Sequence, residues 1–192
     1  MVNKFEARTQ KKQTAIIAAS IQLFGKYGYK KTNIKMIAQE ANVSQVSIYN
    51  YFENKENLVL ACVKFLMQDI LDKSKVILSE PISFEEKLNK VMQLCNGDFN
   101  AIIQEHFSST LNDDSGFLQL LVETSSVYKS EIYKLYIQAG KDEGWINKDL
   151  ATESILEFIN AMNAAGATYT GDNSEQLFSD FQQILFYGIH KV

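Results

Sequence analysis

Proline is nearly absent from this sequence, and glycine is sparse. The 192 residues contain one proline, Pro81, and nine glycines. Both residue types interrupt helices, so their scarcity favours long helical segments. The sequence also lacks the sustained alternation of apolar and polar residues that marks half-buried strands. It therefore predicts an all-α fold.

Cysteine and histidine are equally scarce, with two residues of each. Cys62 and Cys95 have neither metal-ligand nor redox spacing. We therefore expect two reduced cysteines that serve as small core residues. His106 has two interpretations, a partly buried and hydrogen-bonded histidine or a contact to a ligand or metal.

Sequence motifs of catalysis are missing as well. Cys95 and His106 could in principle form a nucleophile and its base, but no nucleophile elbow or glycine-rich oxyanion hole accompanies them. There is no P-loop, no dinucleotide fingerprint and no zinc pattern. The sequence therefore predicts no enzyme activity, no catalytic residue, no metal and no cofactor.

No apolar run approaches the ~18 residues that a membrane-spanning helix needs. The first six residues, Met-Val-Asn-Lys-Phe-Glu, contain no apolar core of a signal peptide. We expect a cytoplasmic protein without a membrane partner.

Charge is divided unevenly along the chain. Up to Lys55 there are nine Lys and Arg against three Glu, a net charge of +6, whereas residues 56–192 carry ten Lys against twenty Asp and Glu, a net charge of −10. Charges more than roughly 8 Å apart are largely screened at physiological salt, so the local sign governs attraction to a polyphosphate. The basic N-terminal part suits nucleic acid.

Four helices are predicted before residue 80. The first runs from near Lys11 to Tyr27, with Ile17, Ile21 and Phe24 on one stripe and glycines 25 and 28 ending it. Asn33 caps a second helix that ends at Glu40 and directs Ile34, Ile37 and Ala38 inward. Ser44 caps a third that ends near Tyr51, and Asn54 caps a fourth that runs to about Leu78. Asn42 occupies the turn before Ser44, where a left-handed backbone is expected.

Pro81 marks a boundary, and Ser83 with Glu86 predicts a capping box for the next helix. Further breaks are expected at 96–97, 112–116, 140–144 and 171–174, which gives about nine helices. We predict a helix-turn-helix DNA-binding domain at residues 1–54, joined by the long fourth helix to a helical ligand-binding and dimerisation domain at residues 55–192.

The third predicted helix has the properties of a DNA-recognition helix, because it is short, polar at its N-terminal end and apolar on the face that carries Ile48 and Phe52. Amides pair with adenine edges, valine contacts a thymine methyl, and tyrosine hydroxyls and a helix-start lysine suit phosphates. The predicted DNA-binding residues are Thr32, Asn33, Ser44, Gln45, Val46, Ser47, Tyr49, Asn50, Tyr51 and Lys55.

Two other interpretations of these residues stay open at this point. Each polar side chain, Asn50 and Thr32 among them, could be ordinary solvated surface. The basic residues Lys4, Arg8, Lys11 and Lys12 could instead place the first helix on an anionic membrane, although large apolar anchors opposite them are not evident.

About 45 residues resemble the N-terminal domain of the TetR family of transcriptional regulators. The resemblance rests on Gly28-Tyr29, Thr32, Ile34, Ile37-Ala38, Ala41-Asn42-Val43-Ser44, Ile48-Tyr49, Tyr51-Phe52 and Lys55-Glu56. It implies a homodimer, usually a repressor, whose C-terminal domain binds a small molecule and thereby separates the two DNA-binding domains. Asn42 replaces the family's usual turn glycine, and Val46 replaces a small residue, which leaves the base preference open. The segments Gly144-Trp145-Ile146 and 185–189 resemble the family more weakly.

Two amphipathic segments near the end, 152–169 and 174–189, are candidates for a dimer interface. Their pairing across a two-fold axis would give the four-helix contact that a palindromic site requires, although a core within one chain is the alternative. The predicted interface residues are Ile155, Phe158, Met162, Ala165, Phe181, Ile184, Leu185 and Gly188.

Aromatic and methionine residues between Leu60 and Trp145 predict a ligand pocket, although such residues at helical spacing are equally typical of ordinary core. The candidates are Phe65, Met92, Cys95, Phe99, His106, Phe107, Tyr128 and Tyr136, with Met67, Phe117, Tyr133 and Trp145 as further members. The expected effector is an apolar or aromatic small molecule.

The sequence thus predicts a homodimeric, ligand-released repressor that binds double-stranded DNA at a pseudo-palindromic operator. A ligand-responsive activator is the nearest alternative. A helical small-molecule-binding protein that does not recognise DNA sequence is a further one.

Overall fold

A computed structural model of the chain describes residues 4–95, 115–169 and 173–189, and every regular element in these ranges is a helix. The eight helices are α1 (Lys4–Lys31), α2 (Ile34–Glu40), α3 (Gln45–Phe52), α4 (Lys55–Ser79), α5 (residues 84–95, where the described part stops), α6 (Ser115–Asp142), α7 (Thr152–Thr168) and α8 (Ser174–Ile189). The predicted all-α class is confirmed. No helix in the described ranges is long and apolar enough to cross a membrane.

Helix α1 begins at Lys4, seven residues before the predicted start. The added turns consist of good helix formers such as Arg, Lys, Gln and Ala. They extend the helix although no apolar periodicity in the sequence predicts it. The helical backbone breaks at Gly28, whose φ of 78° lies in the left-handed region. The buried stripe also differs from the prediction, because Ile16, Ala19 and Leu23 join Phe24 in the core while Ile17 and Ile21 are half-buried.

The predicted caps of α2 and α3 are confirmed. Asn33 Oδ1 accepts a hydrogen bond from the Met36 backbone N–H at 3.0 Å, and Ser44 Oγ accepts one from the Ser47 backbone N–H at 3.1 Å. Asn42, in the turn between the two helices, has the expected left-handed backbone with φ of 52°. Asn33 therefore fixes the start of α2, and Ser44 fixes the start of α3 directly after the turn.

The junction between α3 and α4 is equally tight. Glu53 ends α3 with φ of 66°, an unusual value for a residue with a Cβ, and Asn54 Oδ1 accepts a hydrogen bond from the Asn57 backbone N–H at 2.7 Å. The predicted Asn54 cap and the long fourth helix are both confirmed, the helix ending at Ser79, one residue past Leu78.

Cys62 on α4 is completely buried, and its Sγ lies 3.8 Å from the backbone oxygen of Ile17 on α1. Desolvation raises the pKa of this thiol to about 12. The predicted core role of Cys62 is therefore confirmed, whereas Cys95 is only half-buried.

Backbone contacts divide the chain into two compact units, Met1–Ser74 with Val91–Tyr128 and Lys75–Lys90 with Lys129–Val192. The first unit contains the whole of α1, α2 and α3. A functional division between residues 54 and 55 stays a prediction, because these units are defined by contacts alone.

In the second unit, Ser83 and Glu86 form the predicted capping box at the start of α5. Glu86 Oε2 accepts hydrogen bonds from the backbone N–H and the hydroxyl of Ser83 at 2.9 and 2.7 Å, and these bonds lower the pKa of the Glu86 carboxyl. Farther along α5, Lys87 is almost buried and pairs with Glu143 at 2.8 Å. This ion pair joins α5 to the turn that follows α6.

The end of α6 packs closely on α5. The ring centroids of Phe84 and Trp145 are 5.3 Å apart, and a Cβ added at Gly140 would come within 2.7 Å of both Phe84 Cζ and Ile146 Cδ1. Gly140 is therefore required for close approach rather than for a turn. Trp145, a candidate pocket residue, packs against Phe84 within this unit.

Candidate nucleic-acid interface

Helix α3 has one buried and one exposed face, as a recognition helix requires. Ile48 and Phe52 are buried in the core of the first unit. On the opposite side Gln45 and Asn50 are exposed, as are 66% of Val46 and 49% of Tyr49. Two amides, a branched apolar side chain and a phenol thus share an accessible surface, which is the chemistry that major-groove edges and phosphates accept.

The remaining predicted residues of α3 are less accessible. Ser47 and Tyr51 are half-buried, and the Ser44 and Ser47 hydroxyls lie 2.9 Å apart in a hydrogen bond. Ser44 and Asn33 are exposed but already act as helix caps. Their side chains hold the helices in place, and their assignment to DNA stays a prediction.

Thr32 was predicted to contact DNA, and its environment contradicts that. The side chain is completely buried, and its single O–H is shared between the backbone oxygens of Gly28 at 2.9 Å and Leu23 at 3.0 Å. A buried hydroxyl that is engaged with main-chain carbonyls cannot reach a phosphate. Thr32 instead satisfies carbonyl groups where α1 ends and fixes the path from α1 to α2.

Lys55, predicted to bind phosphate at the start of α4, also has partners within the chain. Its Nζ donates to the backbone oxygen of Tyr29 at 2.5 Å and lies 3.8 Å from the centroid of the Tyr29 ring. Partial burial lowers the pKa of this ammonium, and the neighbouring Glu56 carboxylate opposes the shift. An ammonium has three N–H bonds, so a phosphate contact would add to the Tyr29 contact.

Tyr29 and Glu56 complete this junction, although neither was predicted to be a site residue. The Tyr29 hydroxyl donates to Glu56 Oε1 at 3.0 Å, and the Tyr29 ring lies 5.9 Å from that of Phe24. The segment after Gly28 is thereby attached to the first turn of α4. Only the Lys55-Glu56 pair at a helix start could have suggested such a contact.

The C-terminal pair of helices presents a different surface. An apolar cleft in the second unit is lined by Leu150, Ser154, Ile155, Phe158, Ile184, Leu185, Gly188 and Ile189. At its rim 45% of Phe158 and 58% of Ile184 are exposed, and the neighbouring Tyr187 is 83% exposed. Of the predicted interface residues, Ile155 is buried, Met162, Phe181 and Leu185 are half-buried, and Ala165 and Gly188 are exposed.

The predicted ligand pocket is only partly covered by the described residues. Phe99, His106 and Phe107, and the side chain of Phe117, lie outside them. Of the other candidates, Tyr136 and Met67 are buried, Phe65 is largely exposed, and the rest, Met92, Cys95, Tyr128, Tyr133 and Trp145, are half-buried. The pocket stays a prediction. In the described ranges no group of three or more His, Cys, Asp or Glu could hold a metal ion.

The geometry of α1, α2 and α3 defines a helix-turn-helix domain. Residues 16–62 match the family model described as "Bacterial regulatory proteins, tetR family". This match assigns residues 16–62 to the N-terminal DNA-binding domain of the TetR family of transcriptional regulators.

Two curated relatives and one solved structure illustrate the similarity. The "Fatty acid metabolism regulator protein" of Bacillus subtilis (strain 168) is 30% identical over 96 residues, which are 48% of this chain and half of the relative's own length. The "HTH-type transcriptional repressor KstR2" of Rhodococcus jostii (strain RHA1) is 21% identical over 155 residues, 77% of this chain and 74% of that protein.

The structure of the transcriptional regulator FadR from Bacillus subtilis in complex with stearoyl-CoA superposes with a TM-score of 0.58 and 23% identity, covering 92% of this chain and 99% of that one. At this identity the likeness establishes the fold.

Proposed function

We propose that this chain is a DNA-binding transcriptional repressor that acts as a homodimer on a pseudo-palindromic operator and is released by a small-molecule ligand. The observation that carries the proposal is the exposed face of α3. Ile48 and Phe52 bury the opposite face in the core, and the exposed side chains are those of Gln45, Val46, Tyr49 and Asn50. Such a rigidly held polar face positions side chains at base edges in a major groove.

The apolar surface of α7 and α8 supports the homodimer. A single chain leaves Phe158 and Ile184 about half exposed beside an apolar cleft. An exposed apolar patch next to a cleft is typical of a protein–protein interface, and a second copy offers the same surface across a two-fold axis. Two recognition helices related by that axis would meet half-sites about one helical turn, ~34–36 Å, or somewhat more apart.

Release by a ligand needs a mechanical connection from α4 to the DNA-binding helices. The contacts of Lys55 and Glu56 with Tyr29 provide one, because they attach the first turn of α4 to the end of α1. If a ligand shifts α4, the helix-turn-helix follows, and the spacing of the two recognition helices no longer matches the groove. A ligand can do this only if it binds the two arrangements with different affinity.

The effector is proposed to be an apolar or aromatic small molecule. The candidate pocket residues are aromatic or sulfur-containing except for His106. One relative is named for fatty acid metabolism, and one solved relative holds stearoyl-CoA. A long-chain acyl-CoA is therefore the first effector to test. Activation in place of repression is the nearest alternative, and a reporter gene placed behind the selected operator distinguishes the two.

The decisive experiment selects binding sites from a random duplex pool at ~150 mM salt, since non-specific affinity there is only about 10⁻⁴–10⁻⁶ M. The wild type is compared with Tyr49→Ala, with and without stearoyl-CoA. An enriched palindrome that Tyr49→Ala loses is the expected result. Failure to enrich any sequence in either condition would contradict the proposal and favour a small-molecule-binding protein that does not recognise DNA sequence.

A further inference from the structure

Helix α1 carries an unusual excess of positive charge upstream of the helix-turn-helix. From Ala7 to Lys31 the sequence contains no Asp or Glu, and its first turns hold Lys4, Arg8, Lys11 and Lys12 against the single carboxylate of Glu6. The family model begins only at Ile16. The basic turns therefore lie outside the region whose role the family match describes.

These basic residues occupy one face of α1. Arg8 is four positions after Lys4, and Lys11 and Lys12 are three and four positions after Arg8, so all four positions fall within one side of a helix with 3.6 residues per turn. The side chains of Arg8, Lys11 and Lys12 are all exposed, and none of the three forms an ion pair with a described residue. Their charges are available to an external partner.

The same face continues without acid or large apolar side chains toward the C-terminal end of α1. Ala15, Ala18 and Gln22 follow in the row and are exposed, and Lys26 ends it. The core residues of α1, among them Ile16 and Leu23, lie on another face. A membrane-surface helix would need several large apolar anchors beside its cationic residues, and from Lys4 to Ala15 the sequence contains one, Phe5. The chemistry of this face fits a polyanion with regularly spaced charge rather than a bilayer.

We propose that this basic face of α1, formed by Arg8, Lys11 and Lys12, binds the phosphates of duplex DNA outside the bases that α3 contacts. This inference rests on the proposed function and extends it to a second, sequence-independent contact. Residues 8–12 span about 6 Å along the helix axis at 1.5 Å per residue. A duplex presents roughly three to four phosphate charges over that length, which is enough for one phosphate to each of the three cations.

The test is the triple variant Arg8→Gln, Lys11→Gln, Lys12→Gln, because glutamine keeps the helix propensity and removes the charge. Affinity for the selected operator is measured against salt concentration. Loss of three phosphate contacts lowers the slope of log affinity against log salt by about two to three units per protomer. The variant should keep its base preference, because phosphates carry no sequence information.

A matched control removes three exposed lysines elsewhere, as Lys64→Gln, Lys134→Gln, Lys148→Gln. It changes the net charge of the chain equally and should leave the slope within about half a unit of the wild type. Shortening the duplex to the bare operator removes the flanking phosphates. It should therefore lower the DNA affinity of the wild type and of the control, and should leave the DNA affinity of the α1 variant unchanged. Circular dichroism confirms that all variants keep their helices.

The outcomes separate this inference from the function on which it rests. If the wild type selects an operator and the α1 variant keeps the full slope, or the control loses as much, the α1 face is not a DNA contact and the proposed function stands. If the wild type binds no duplex, both ideas fail. Sedimentation of the wild type with phosphatidylserine vesicles at ~150 mM salt, abolished in the α1 variant, would assign the face to a membrane and overturn the inference.

Discussion

The helix-turn-helix and the α7–α8 pair differ in how fully a single chain buries their apolar side chains. In the first, Ile16, Phe24, Ile37 and Ile48 are at most 1% exposed, so the core is closed. Among the described side chains of α7 only Ile155 and Leu156 are buried, and none of those of α8 is. The first region therefore closes its core within one chain and presents a mainly polar surface, whereas the second leaves apolar area in water.

This difference indicates what kind of partner each region takes. Polar groups on a closed scaffold lose little by staying hydrated until a charged, hydrogen-bonding partner such as DNA replaces the water. Apolar groups left half exposed favour association, because covering them gives about 25 cal/mol for each Å² removed from water. The regions therefore suit different associations, one reversible and salt-dependent and the other lasting and hydrophobic.

The largest expected effect comes from Phe158→Glu on α7. If α7 and α8 form the dimer interface, a buried carboxylate without a partner weakens association at least about 100-fold, close to 3 kcal/mol. Sedimentation equilibrium at micromolar concentration should show monomers. Val127→Glu on α6, where the valine is 67% exposed, is the matched control and should leave the dimer intact. Equal dissociation of the dimer in both variants would contradict the assignment of the interface to α7 and α8.

Gln45→Ala tests the polar surface of α3. If the amide pairs with an adenine, the variant should lose about 1–3 kcal/mol of discrimination at one base position of the operator. Binding to a panel of singly substituted operators measures this. A uniform loss across the panel would show that Gln45 contributes only to positioning.

Thr32→Val tests whether the buried Thr32 hydroxyl at the end of α1 stabilises the fold and makes no contact with DNA. Valine keeps the shape of the buried side chain but removes the donor to the Leu23 and Gly28 carbonyls, which should lower the free energy of unfolding by about 1–2 kcal/mol. Urea denaturation of the dimer at fixed concentration measures the change. The salt slope of DNA binding should be unchanged, and a slope lowered by a unit would restore Thr32 as a phosphate contact.

The smallest effect is expected for Lys55→Ala. Loss of one phosphate contact should weaken binding equally on all operators and lower the salt slope by about one unit. Lys64→Ala on the same helix is the control. A full slope with reduced thermal stability would mean that Lys55 serves only its contacts with Tyr29.

The parts of the fold that could be predicted are those with local causes. Asn33, Ser44 and Asn54 cap helices through their own side chains, and the left-handed turn at Asn42 depends on that residue alone. A short window of sequence contains both partners of each interaction. For the same reason the exposed and buried faces of α3 followed from its pattern of polar and apolar residues.

The parts that escaped prediction depend on distant partners or on weak signals. Lys87 looks like a surface lysine, and its burial depends on Glu143, which is 56 residues away. The hydroxyl of Thr32 reaches back to Leu23, nine residues earlier, through a chain path set by Gly28. The first turns of α1 lack apolar periodicity altogether. Their helical state follows from helix propensity and from their continuity with the later turns of α1.

Because Cys62 is completely buried, its chemical modification can report the local separation of α1 from α4. Its thiol faces the Ile17 carbonyl of α1, and a pKa of about 12 leaves almost no thiolate at neutral pH. An alkylating reagent can therefore modify Cys62 only when α1 and α4 separate. The rate of modification, counted by mass spectrometry in Cys95→Ser protein, would time that separation with and without DNA, and no dye or engineered label would be needed.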